Sequence, residues 1–139
     1  MAQHRTVPAL FPPPGYAHTA VVEAGERLVF LAGSVPLDAD GKLAGPGDFT
    51  AQARQVLANL ETALAAVGSG LPQVVASTVY VVADEPARLS EVWDVVNSSA
   101  LAEGPHTSTL LGVSCLGYTG QLVEITATAV VPGVPAVEG

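Results

Sequence analysis

The run Gln121-Leu122-Val123-Glu124-Ile125-Thr126-Ala127-Thr128-Ala129-Val130-Val131 constrains this chain more than any other stretch, because it is strand-forming throughout and carries a carboxylate. With the period of two that a strand imposes, Val123, Ile125, Ala127, Ala129 and Val131 share one face, and Leu122, Glu124, Thr126, Thr128 and Val130 share the other. The first face is dry and suited to packing under helices. The second holds a carboxylate and two hydroxyls, which require hydrogen-bond partners or water. Glu124 is therefore the leading candidate for a functional residue. Two roles are open to it: a base that positions water, its pKa raised by partial burial, or a structural carboxylate at an interface.

Earlier segments supply the partners of this run. Prolines at 8, 12, 13 and 14 exclude a helix or central strand, so residues 1–14 read as an extended surface arm, with ordered structure beginning near Gly15-Tyr16. Strand-like residues 17–24 and 27–35 flank Ala24-Gly25-Glu26, a connection suited to a hairpin. Residues 28–32 are apolar on both faces and predict a central strand; 36–47 is turn chemistry and predicts an exposed loop. Asp48 is placed to cap a helix whose inner stripe is Phe49, Ala53, Val56, Leu57, Leu60, Leu64 and Val67, with Gln52, Arg54, Gln55, Asn59 and Glu61 opposite and Gly68 as the stop. Residues 74–82 predict a strand. Asp84-Glu85-Pro86 opens a second helix with Leu89, Val92, Trp93 and Val96 on its core stripe, closed by Asn97-Ser98-Ser99 and Gly104-Pro105. Two strands, 107–113 and 122–131, complete a ββαβαββ order: an α+β fold with both helices on one face of one mixed sheet.

A length of 139 residues fits one domain, 1–139, with 132–139 as a short tail. Of these residues 49% are hydrophobic and only 13% are charged, which is little charge to clothe a monomer and favours association of identical subunits through the uncovered sheet face. A net charge of -8 with five Lys plus Arg and no basic run argues against nucleic acid as a partner. The apolar runs are too short to span a membrane and no secretory signal is present, which predicts a soluble cytoplasmic protein. Three scattered His and the lone Cys115 lack metal-ligand spacing, so no metal, cofactor or disulfide is expected. Cys115 reads as a passive thiol and Trp93 as core, and His4, His106, Asp38 and Asp40 have no partner visible in the sequence.

Several stretches resemble the Rid family, also called YjgF, UK114 or endoribonuclease L-PSP-like, over nearly the whole of 16–131. They are Gly15-Tyr16-Ala17-His18, Leu31-Ala32-Gly33-Ser34-Val35-Pro36, the helical Ala51-Gln52-Ala53-Arg54-Gln55-Val56-Leu57-Ala58-Asn59-Leu60, and Val123-Glu124-Ile125. The resemblance implies a chorismate-mutase-like homotrimer with ligand clefts between subunits. In archetypal members those clefts hydrolyse reactive enamines and imines to 2-oxo acids and ammonia. It also implies that Glu124 handles water, that the Tyr16 hydroxyl lines the cleft, and that Gly33 and Ser34 contact substrate through their backbone. His18, two residues from Tyr16 on an extended segment, is a candidate proton donor or simply a hydrogen-bonded histidine. Where archetypal members carry a carboxylate-clamping arginine this chain has Ser108, or Thr107 one place earlier, and no arginine follows Arg88. Two functions of different class follow: a deaminase or related hydrolase acting on a small imine, enamine or carbonyl compound, and a non-catalytic trimer that binds a small metabolite. An RNA-cleaving role is opposed by the acidic balance.

Overall fold

The computed structural model describes residues 2–104 and 106–133. Its elements run β1 (Gln3–Arg5), β2 (Thr19–Val21), β3 (Arg27–Phe30), α1 (Phe49–Ala65), β4 (Val74–Val82), α2 (Pro86–Asn97), β5 (Thr107–Val113) and β6 (Val123–Val131), with short 3-10 turns at Leu71–Gln73 and Ala100–Ala102. The expected closing residue Pro105 and most of the expected tail, 134–139, lie outside the described residues.

A mixed four-stranded sheet has the order β3-β6-β4-β5. β6 pairs antiparallel with both β3 and β4, while β4 and β5 are parallel and need the crossover that α2 provides. The dry face of β6 lies in the core as its alternation predicts. Val123, Ile125, Ala127 and Ala129 are buried with Val79 and Val81 of β4 against Ala53, Val56, Leu60 and Leu64 of α1 and Val92 and Val96 of α2. The two helices and a mixed sheet give the α+β architecture expected.

Three details differ from expectation. The chain does reverse at Gly25, whose φ is +88°, but no hairpin forms there. β2 pairs instead with β1 in a separate two-stranded sheet, and β3 joins β6. A turn signal reports only that the chain changes direction, and the arm offers β2 a backbone partner from far away in sequence. Ordered structure thus begins before the prolines rather than after them. β3 is an edge strand, not a central one, and leaves Phe30 77% exposed on the sheet face away from the helices. Its apolar composition is unsatisfied within one chain.

The third difference is Gln52, which the helical pattern assigns to the polar side of α1 but which is fully buried. Its Nε2 donates to the carbonyls of Gly45 and Gly120 at 3.2 and 3.0 Å, and its Oε1 accepts from the Leu122 N–H at 2.7 Å. The amide thus satisfies loop backbone groups that would otherwise be stranded in the interior. Asp48 caps α1 as predicted, its Oδ1 accepting from the Ala51 N–H at 3.0 Å.

Two histidines without a sequence-level partner meet where the arm crosses the start of β5. His106 is 1% exposed, and neither of its ring nitrogens has a hydrogen-bond partner among the described residues. Burial, with a smaller contribution from His4, pushes its pKa down to about 4. The folded pKa lies below the ordinary value of 6.5, so the stability of the neutral ring is fully present above that value and is lost as pH falls toward 4. Lowering pH from 6.5 to 5 should cost about 2 kcal/mol, at roughly 1.4 kcal/mol per pH unit. His4 is shifted in the same direction by burial. Denaturant titrations at several pH values should show this loss in the wild type and a much flatter response in His106→Leu.

Candidate functional site

Glu124 sits on the open face of β6, opposite Tyr80 of β4. Of the side chains that the four strands present on this face, it is the only charged one. Its neighbours there include Phe30, Ala76, Thr78, Thr107, Thr109, Leu111, Thr126 and Thr128 by strand register. Its position comes from the strand; its orientation comes from the preceding loop. Gln121, 3% exposed, donates from Nε2 to Glu124 Oε1 at 3.0 Å and to the Val123 carbonyl at 3.1 Å, and its Oε1 accepts from the Tyr118 N–H at 3.1 Å. One carboxylate oxygen is thereby held. The other, Oε2, lies against Gly33, where a Cβ would overlap it. The absence of a side chain at Gly33 thus allows the close approach of the carboxylate.

Ser34 follows in a bridge to β6, its N–H donating to the Ile125 carbonyl at 2.8 Å. Its hydroxyl turns inward and donates to the Val56 carbonyl of α1 at 2.7 Å, so the segment presents backbone to the carboxylate and its side chain to the core. A carboxylate with one oxygen held and the other beside a glycine can accept a hydrogen bond from a water or a ligand N–H.

Tyr16, His18 and Ser108 lie away from Glu124 in the chain. Tyr16 lines a cavity of about 330 Å³ with Pro14, Ser90, Trp93, Ser108 and Leu110. The Tyr16 and Trp93 rings meet edge to face, centroids 6.4 Å apart at 78°. Trp93 is half-buried and lines this cavity as well as packing on the core, and its indole N–H donates to the Pro14 carbonyl at 3.2 Å. His18 has both ring nitrogens engaged by the arm: Nδ1 accepts from the Val7 N–H at 2.8 Å, which leaves Nε2 to donate to the Phe11 carbonyl at 3.0 Å. In this arrangement it is a clasp for the arm, the hydrogen-bonded alternative of the two open to it.

Thr107 and Ser108 are separated by the alternation of β5. Ser108 pairs with buried Ser77, their hydroxyls 3.0 Å apart, and so stands on the helix side of the sheet. Thr107 is the one that shares the Glu124 face, with its hydroxyl donating to the Val75 carbonyl at 2.7 Å. Ser108 is in register with Ala127 through Ser77, three residues from Glu124 along β6. That places it about 10 Å across and about 10 Å along the sheet from Glu124, from the usual strand spacing and rise. One chain therefore holds Glu124, Gly33 and Gln121 in one place and Tyr16, Trp93 and Ser108 in another. Sequence reasoning missed Gln121 as the orienting group; the only signal was an amide just after the Gly120 turn. A larger open groove, about 700 Å³ between α1 and α2, lies on the far side of the helices from Glu124.

The endoribonuclease L-PSP family model matches residues 9–131. The chain belongs to this family, also known as YjgF or Rid, as its motifs indicated. It is 35% identical over 116 residues to protein DfrA of Myxococcus xanthus, covering 83% of this chain and 84% of that one. The structure is similar to that of the Rid-family protein of unknown function YyfB from Yersinia pestis, with a TM-score of 0.84, 32% identity, and coverage of 93% and 98% of the two chains. YyfA from the same organism aligns with a TM-score of 0.65 at 26% identity over 94% of this chain and 100% of its own. These likenesses fix the fold as that of the YjgF proteins.

Gly33→Ala tests the geometry around the carboxylate directly. The added methyl group should displace the flexible end of Glu124 and break its bond to Gln121. A crystal structure should show the carboxylate moved, and thermal melting should report a loss of about 1 kcal/mol, the net value of one hydrogen bond.

Proposed function

We propose that this protein is a Rid-type small-molecule hydrolase that deaminates reactive enamines or imines, or acts on a related carbonyl compound, in clefts between the subunits of a homotrimer. The observation that carries the proposal is the Glu124 carboxylate, held through Oε1 by Gln121 with Oε2 beside Gly33. Glu124 accepts a proton from water as the water oxygen adds to the C=N carbon. The nitrogen is protonated, the C–N bond of the carbinolamine breaks, and a carbonyl compound and ammonia leave. The net change for a primary imine is addition of one water and release of one ammonia.

Assembly supplies what one chain leaves apart. Leu28, Phe30 and Leu111 are exposed on the open face that carries Glu124, and a neighbouring copy covering this face would bring its Tyr16 cavity toward the carboxylate. Gly33 contributes backbone to this cleft; Ser34 supports it through its bond to α1, Thr107 lines its floor, Ser108 belongs to the Tyr16 side, and His18 holds the arm. A cytoplasmic location accords with the exposed free thiol of Cys115. Among the described residues no helix is long and apolar enough to cross a membrane. The net charge of -8 opposes nucleic acid as substrate.

A second reading, a trimer that binds a small metabolite without turnover, is favoured by one observation: no strand presents a cation on the Glu124 face, so the carboxylate clamp of the archetypal deaminases has no counterpart there. Glu124→Gln separates the two. Loss of a general base should lower turnover by roughly 10²- to 10⁴-fold with the fold and ligand affinity retained. A binding module has no turnover to lose. A purely structural carboxylate would instead show itself in melting temperature or assembly.

The assembly is tested independently. Light scattering should give the mass of a trimer at micromolar concentration. Thr128→Lys, which buries an unpaired charge on the open face at a cost of about 3–5 kcal/mol, should shift the protein toward smaller species.

A further inference from the structure

The charge of the ligand can be read from the walls that would surround it. We propose that this site takes a small organic cation without a carboxylate, the protonated imine (iminium) of an amine rather than of an amino acid. The inference rests on the hydrolase reading for its reaction, and on the Tyr16 cavity for its charge selection.

None of the six described residues lining that cavity is charged. The one N–H donor among these side chains, the Trp93 indole, is already committed to the Pro14 carbonyl, and the Ser108 hydroxyl shares a hydrogen bond with Ser77. An entering carboxylate would exchange its hydration for neutral hydroxyl donors alone, those of Tyr16, Ser90 and Ser108, and burying an ionised carboxylate without a cation is costly. Arg88, the nearest arginine in sequence, is occupied by Glu91 at 3.0 Å and lies over the Phe49 ring at 5.5 Å.

A cation meets the opposite conditions. Tyr16 and Trp93 both line the cavity with their rings close to a right angle, and an aromatic face attracts positive charge. On the sheet face that a neighbouring copy would bring to this cavity, the one charged side chain is the Glu124 carboxylate. A net charge of -8 draws cations toward the protein and repels anions. An iminium carries its positive charge on the C=N group that water attacks, so the feature selected in binding is also the reacting one. Water adds at carbon and gives a proton to Glu124, the nitrogen takes that proton back, the C–N bond breaks as the hydroxyl loses its proton, and the aldehyde or ketone formed beside the amine or ammonia has no carboxylate.

Trp93 is the single tryptophan and lines this cavity, so its fluorescence reports binding there. The full-length protein is titrated with three probes of one shape: tetramethylammonium, trimethylacetate and tert-butanol. Tetramethylammonium should give a saturable change, with the anion and the alcohol at least about tenfold weaker. Tyr16→Ala should weaken the cation by roughly 3- to 30-fold, the range of a cation–π contact, while Tyr16→Phe should bind like the wild type. Equal binding of trimethylacetate or tert-butanol, or no saturable change with tetramethylammonium, overturns the charge selection. In a parallel assay, ammonia release is timed with imines made by an amine oxidase and by an amino-acid oxidase. Faster release from the amine-derived imines is expected. Acceleration confined to the amino-acid-derived imines overturns the proposal and leaves the hydrolase reading standing. Acceleration of neither removes the hydrolase reading, while the titrations still judge the charge selection.

Discussion

β6 is held on both edges, by β3 and by β4, while one of its faces is pressed against α1, and the rest of the molecule is arranged around that confinement. A slip of one residue in its register would turn Glu124 into the apolar core and expose Ile125, so burial fixes the register and the register fixes the carboxylate. The same burial gives the open face its character. It is apolar and hydroxylic apart from Glu124, and at β3 it leaves Phe30 uncovered.

A strand determines on which face a side chain lies but leaves the side chain's torsions free, and here a relay of two buried amides removes that freedom. Gln52 ties α1 to the carbonyl of Gly120 and the N–H of Leu122; between them Gln121 turns inward to hold Glu124. The loop before β6 has no regular structure, yet its backbone groups are satisfied by side chains from a helix and from the loop itself. Burying an amide costs several kcal/mol when its bonds are missing and little when they are made, so both amides are tolerated inside because each is bonded at both ends. Site geometry thus depends on a helix residue that never touches the carboxylate.

The N-terminal arm has a comparable role at the other group of residues. It is anchored by the β1–β2 pairing, by the His18 clasp and by the Trp93–Pro14 bond, and these contacts build two of the cavity walls. The anchoring leaves His106 buried with both ring nitrogens unpartnered among the described residues, an arrangement that favours the neutral ring.

Features carried by local pattern were determined by the sequence alone. The two helices, the Asp48 cap, the strand at 74–82 and the dry face of the last strand follow from periodicity and short-range hydrogen bonding, and family membership from motifs that need no coordinates. Tertiary structure decided whatever depends on which distant segments meet. Alternation along β5 separated Thr107 from Ser108, and only the pairing of β5 with β4 showed which of them faces Glu124. The pairing of β2 with β1 rather than β3, the burial of Gln52, and the hold of Gln121 on the carboxylate are contacts between groups that local propensity treats as independent. Their energies come from the exclusion of water by the assembled core, which no window of the sequence contains.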